Sequence, residues 1–254
     1  MLTTIIFFIF GLIFGSFFQV VGLRLPKGES IIKPSSHCTN CNKNLKWYEL
    51  IPIISYIFQG GKCRYCKKHI SIKYPLYELL TGVCFALSYI VFGFSKELII
   101  PITLISILII VIISDIEYMV IPDEVLFIGT ITILFEILIL QGWSNLFHSF
   151  LSGLLGFVLM YLIKIIGDFI FKAESLGGGD IKLFFLLGLV FNFDTMIVII
   201  FLASFFALPY AISIMLMRKD NIVPYGPFIS LTAITLVLLK LTNFSLLELI
   251  NYLI

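Results

Sequence analysis

Eight long apolar runs leave this chain almost no polar surface with which to face water, and they constrain its fold more than anything else in it. They cover about 4–22, 75–93, 98–115, 125–141, 147–170, 181–193, 195–217 and 226–241. A helix needs roughly 17–25 apolar residues to cross hydrocarbon. In lipid it is also the simplest element that satisfies its own backbone. With 60% of residues hydrophobic and only 13% charged, too few polar side chains remain to cover a soluble core. The expected fold is therefore an all-α polytopic membrane protein with about eight transmembrane helices. The first run has no basic start and no small-residue cleavage pattern, so it reads as a retained span.

Charge placement orients the spans. Of 17 Lys and Arg, ten fall between Arg24 and Lys73, with only Glu29 and Glu49 among them. The positive-inside rule puts this segment in the cytoplasm. The short turns agree: Lys172, Lys182, Arg218 and Lys219 fall on the same side, and only Lys96 falls on the other. The domain expectation is a first span at 1–22, a basic region at 23–74 and a transmembrane domain at 75–254. The apolar stretch 241–254, broken by Asn243, Ser245, Glu248 and Asn251, stays open between a further span and a surface helix.

The basic region carries Cys38-x2-Cys41 and Cys63-x2-Cys66, 21 residues apart. Two such knuckles place four thiolates for a tetrahedral zinc ion, and a reducing compartment disfavours disulfides. We expect a small zinc-ribbon-like domain between spans one and two. His37 and His69 flank the knuckles and could replace a ligand, though they read first as surface residues, and Cys84 inside span two is ordinary packing.

Two aspartates stand where ionisable groups are costly. Asp115 ends the apolar run from Pro101 to Ser114, and Asp180 follows Gly177, Gly178 and Gly179. Two spans separate them, so both lie on one face of the membrane whatever the orientation. Paired carboxylates sharing a proton can activate water and protonate an amide, because like charges at close range cannot both ionise. Consecutive glycines permit φ > 0 and close backbone approach, which suits an extended peptide laid alongside as an added strand. Asp123, after Pro122, fits the first turn of a helix, and Glu174 and Lys182 flank the glycines as supporting charges. Glu78 and Glu136 lie inside spans, where they need polar partners. No HExxH or nucleophile elbow competes with the aspartates.

These motifs together resemble the type IV prepilin peptidase family, bacterial inner-membrane aspartic proteases. The resemblance rests on Gly15-Ser16-Phe17-Phe18, Arg24-Leu25-Pro26, the four cysteines, Tyr74 to Gly82, Asp115 with Ile121-Pro122-Asp123, and Gly177-Gly178-Gly179-Asp180-Ile181-Lys182. It implies that Asp115 and Asp180 cut the short basic leader of prepilin and pseudopilin precursors at the cytoplasmic face. Cleavage would fall after a Gly and before the hydrophobic helix. For members with the long cysteine-bearing loop it also implies methylation of the new N-terminal residue by S-adenosylmethionine. The residues themselves offer no methyl-donor pocket, and no nucleic-acid partner is expected. Two rival classes remain: a non-enzymatic zinc-bearing membrane scaffold, and a transporter using Glu78 and Glu136. The latter lacks the broken helices of a repeated transporter.

Overall fold

The computed structural model describes residues 1–218 and 223–242. Residues 243–254, most of the undecided C-terminal stretch, lie outside the described part. Among the described residues nine α-helices and three short 3-10 turns form, with no strand longer than an isolated bridge. The chain divides into two compact units, 1–93 and 94–254.

The first unit holds α1 (Leu2–Arg24), the cysteine-bearing loop with the short α2 (Ile54–Phe58), and α3 (Lys73–Phe92). Helices α1 and α3 pack on small residues, as apolar helices in lipid must when no hydrophobic force drives them together. A Cβ on Gly11 would stand 2.7 Å from the Cα of Gly82, and one on Gly15 would stand 2.8 Å from Oγ1 of Thr81. The two backbones therefore touch. Buried Glu78 is tied to the Ile53 amide over 2.7 Å, which supplies the polar partner that its place in a span demands.

The second unit holds α4 (Ile99–Tyr118), α5 (Asp123–Gln141), α6 (Trp143–Phe171), α7 (Gly178–Gly188), α8 (Phe193–Arg218) and α9 (Gly226–Leu238). Helix α4 is apolar all round and buried along most of its length from Leu104 to Asp115, the signature of a central helix. It packs against α5 and α9, while α7 packs against α5, α6 and α8. Glycines again set the approach: a Cβ on Gly188 would meet Gly153 Cα of α6 at 2.7 Å. Glu136 of α5 accepts from Thr103 Oγ1 of α4 over 2.6 Å, so the second span carboxylate also finds a partner.

Each of the eight predicted segments is a helix, and five helices are long and apolar enough to cross a bilayer. Helices α7 and α9 are shorter, at 11 and 13 residues. At 1.5 Å per residue they span only about 16–20 Å, against a hydrocarbon core of roughly 30 Å. Either their ends begin within the apolar layer or the bilayer thins around them.

Candidate functional site: an aspartate pair and a four-cysteine centre

Asp115 occupies the last turn of α4. That helix ends at Met119, a left-handed residue with φ of 54°, whose amide returns to the Asp115 carbonyl over 2.9 Å. The chain then turns through Val120 and Ile121 to Pro122, the N-cap of α5. Asp180 is the third residue of α7, after the N-cap Gly177. Both side chains are buried, at 6% and 9% exposure, and each lies within electrostatic range of the other.

The two carboxylates have different partners. Oδ2 of Asp115 accepts the Gly226 amide at the start of α9 over 3.0 Å. Oδ2 of Asp180 lies beside its own N-cap, Gly177, where an added Cβ would stand 3.2 Å from it. Both therefore sit at helix N-termini, where free amides favour oxygen ligands. Oδ1 of Asp180 is buried and accepts no hydrogen bond from the described residues. An orphaned carboxylate oxygen is expensive in such a place, and sharing a proton or binding the attacking water relieves that cost.

The glycine run does something other than the sequence led us to expect. None of Gly177, Gly178 and Gly179 has positive φ; Gly177 is extended, and the other two are already helical. A helical backbone has no edge for strand addition, so only Gly177 remains extended beside the pair. The real constraint is space. A Cβ on Gly179 would stand 2.9 Å from Cβ of Ile121, and one on Gly177 would stand 3.2 Å from Oδ2 of Asp180. Gly178 faces open space. Ile121 thus seats between Gly179 and Gly226 and joins the two halves of the site.

The supporting charges divide. Nζ of Lys182 bonds both carboxylate oxygens of Asp123 at 2.7 Å, clamping the first turn of α5 to α7. This exposed pair holds the Ile121 turn in place and does not touch either buried aspartate. Glu174 is exposed on the loop before the glycines and does not join the pair. Asp168 was overlooked in the sequence: its Oδ1 accepts both the amide and the hydroxyl of Ser175, at 2.7 and 2.8 Å, and pins that loop to the end of α6. Gly226 was overlooked too, although Pro224-Tyr225-Gly226-Pro227 marks a constrained backbone at a helix start. A cleft of about 440 Å³ between α6 and α7 is lined by Tyr161, Lys164, Asp168 and Lys182 among others, but by neither buried aspartate.

The cysteines form a separate centre in the first unit. Each knuckle repeats one backbone pattern. Cys38 and Cys63 donate to the carbonyls of Lys43 and Lys68, and accept from the amides of Asn42 and Lys67. Asn42 and Lys67 are left-handed, at φ of 53° and 60°. The four Sγ atoms lie within 4.8 Å of one another, with Cys38–Cys66 at 3.8 Å and Cys41–Cys63 at 4.0 Å. Four sulfurs at 2.3 Å around a tetrahedral zinc ion stand about 3.8 Å apart, whereas a disulfide needs about 2.05 Å. The donor set therefore fits zinc. The Lys68 amide holds Cys66 down at about 6 and the Asn40 amide lowers Cys38, whereas Cys41, despite the Lys43 amide, is pushed up to about 11 by burial and the neighbouring sulfurs. His37 and His69 sit on the flanking bridges, outside the donor set.

The second unit is thus a helical bundle with two buried carboxylates, Asp115 and Asp180, at its helix ends. Comparison with known sequences gives the family. The Bacterial Peptidase A24 N-terminal domain matches residues 9–92, and the Type IV leader peptidase family matches residues 102–212. The chain is 37% identical over 228 residues to a prepilin leader peptidase/N-methyltransferase of Bacillus subtilis (strain 168), covering 89% of this chain and 90% of that protein. It is 32% identical over 206 residues to one of Myxococcus xanthus (strain DK1622), covering 80% of this chain and 60% of that protein. A type 4 prepilin-like proteins leader peptide-processing enzyme of Escherichia coli O78:H11 (strain H10407 / ETEC) is 31% identical over 252 residues, 91% of each. No solved structure matches the chain. The chain belongs to the type IV leader peptidase family.

Proposed function

We propose that this protein is a prepilin leader peptidase that also N-methylates the residue it exposes, with Asp115 and Asp180 as the catalytic pair. The observation that carries the reading is their placement: two buried carboxylates, from helices that the chain separates by α5 and α6, within electrostatic range at one end of the bundle. One carboxylate takes a proton from water as its oxygen attacks the scissile carbonyl carbon. The other gives its proton to the amide nitrogen as the C–N bond breaks. The leader leaves with a carboxylate end and the pilin part with a new amine. The Gly226 amide at the start of α9 holds Asp115 in register.

The substrate fits this depth. A precursor with a basic leader and an apolar helix leaves its junction at the membrane surface, so no globular unfolding is needed. We assign the cysteine loop and the pair to the cytoplasmic face, on the charge distribution of the loops. The cysteine module at 23–74 serves as a zinc-stapled platform, and the peptidase chemistry belongs to the helices within 75–254. Zinc would act as a structural tie, holding a loop too poor in apolar runs to fold alone.

The methyl donor, S-adenosylmethionine, comes with the relatives' name. Of two surface clefts, one is the groove beside α7 with Lys164, Asp168 and Lys182 in its wall, and the other, about 360 Å³, is walled by apolar residues such as Leu134, Phe135, Trp143 and Phe147. A scaffold would account for the cysteines but leaves two buried aspartates without a purpose. Purified protein incubated with a pilin precursor, with and without methyl donor, should give two products by mass spectrometry. These are the cut pilin in both cases and a species one methyl heavier only with donor. An uncut precursor would sink the reading.

A further inference from the structure

The polar loop of the first unit carries an apolar face that nothing in that unit covers. On α2, Ile54, Ile57 and Phe58 share one side at the i, i+3, i+4 spacing, and Ile57 and Phe58 are 67% and 86% exposed. The 3-10 turn Trp47–Leu50 packs against α2 and adds Trp47, itself 78% exposed, and Leu50. Next to Trp47, Tyr48 belongs to a cationic side: Lys46 and Arg64 stand 5.9 and 5.6 Å from its ring centre, and Arg64 donates to its hydroxyl over 3.3 Å. The apolar residues thus adjoin a cationic cluster, the Trp47 ring standing 5.7 Å from that of Tyr48.

One hydrogen bond ties the loop's apolar helix to a span. Ile53, the residue before α2, gives its amide to Oε2 of Glu78 over 2.7 Å. Glu78 is the sixth residue of α3, so the attachment lies about 7.5 Å up a membrane-spanning helix. The backbone is bent to reach it: Ile53 is a β-branched residue at φ of 60°. Helix α2 therefore starts beside the second turn of α3, a helix long and apolar enough to cross a membrane.

We infer that Trp47, Leu50, Ile54, Ile57 and Phe58 are inserted in the interfacial layer of the bilayer, making the zinc-ribbon region a membrane-seated module and not a free cytoplasmic domain. The occupant of this face is lipid. Spanning helices hold the loop at both ends, the Glu78 tie sets its height, and Trp is the residue that interfaces favour. Lys43, Lys46, Lys62, Arg64, Lys67 and Lys68 have one acidic residue among them in sequence, Glu49, which is buried on the Lys46 amide. Anionic headgroups complement that charge. An interfacial helix buries its apolar face ~5–10 Å into the boundary, which matches the height of the tie.

The chain has two tryptophans, which makes the test direct. Zinc-loaded full-length Trp143→Phe protein, reconstituted in nanodiscs of phosphatidylcholine and phosphatidylglycerol, reports from Trp47 alone. With lipids brominated near the top of the acyl chain, Trp47 should lose most of its emission, and aqueous acrylamide should quench it weakly. A paired Ile57→Asp, Phe58→Asp variant should shift the emission to the red and abolish bromolipid quenching while retaining its zinc. Undiminished Trp47 emission in brominated lipid, with full acrylamide access, overturns the inference. So does lipid quenching that disappears when a pilin precursor is added, since the face would then belong to a protein.

Discussion

The amide of Gly226 reaches Oδ2 of Asp115 over 3.0 Å, joining the last turn of α4 to the first turn of α9 across 111 residues. A Cβ at Gly226 would stand 2.8 Å from that same oxygen. Gly226→Ala should therefore push the carboxylate out of register while the protein still inserts. Cleavage of a pilin precursor should fall by an order of magnitude or more, about 1.4 kcal/mol in the barrier per tenfold. An alanine variant with unchanged rate would show that the bond does not matter.

Asp115→Asn and Asp180→Asn each remove a group that must exchange a proton. Each should lower leader cleavage by at least about 10²-fold. The double variant should be little worse than either single one, because the two act as a unit. Normal processing by either single variant, measured beside equal membrane levels, would end the aspartic reading.

Gly179→Ala places its Cβ 2.9 Å from that of Ile121, neither of which can swing aside. It should cost activity and stability together. Adding Ile121→Ala removes the obstacle, so the double variant should recover part of the loss. A purely additive double-mutant cycle would contradict the contact.

The Lys182–Asp123 bridge is short, at 2.7 Å, but the side chains are 51% and 66% exposed. Lys182→Met should cost at most ~1 kcal/mol of stability, and less in high salt. Its effect on cleavage should be far smaller than that of either buried aspartate. A loss matching theirs would move Lys182 from positioning into the chemistry.

Metal analysis of reduced protein should find about one zinc ion per chain, since four thiolates complete a tetrahedral shell. Cys63, buried at 3% exposure, should be the most damaging ligand to lose. Cys63→Ser or a strong chelator should expose the loop between α1 and α3 to protease while the segment 94–218 stays resistant. A loop that stays resistant without metal would remove zinc's structural role.

Much of this was legible in the residues. Hydropathy placed eight apolar helices within a few residues, five of them long enough to cross a bilayer, because a span must be apolar along its whole length. The paired CxxC spacing announced the four-thiol centre, since knuckle geometry is local. Counting crossings put Asp115 and Asp180 on one face. The glycine run was located correctly and its role misread: composition cannot distinguish a glycine needed for φ from one needed for room, and Ile121 supplies the answer only once α5 and α7 are packed.

Sequence alone therefore determined the membrane setting, the metal centre and the candidate acids, all of which depend on apolar length or short spacing. Only the tertiary structure decided the rest: which amide receives Asp115, that Asp180 begins a helix instead of following a loop, and that Gly226 and Ile121 belong with them. These relations join residues tens to more than a hundred positions apart. They arise from close packing of helix ends, which no local pattern along the chain records.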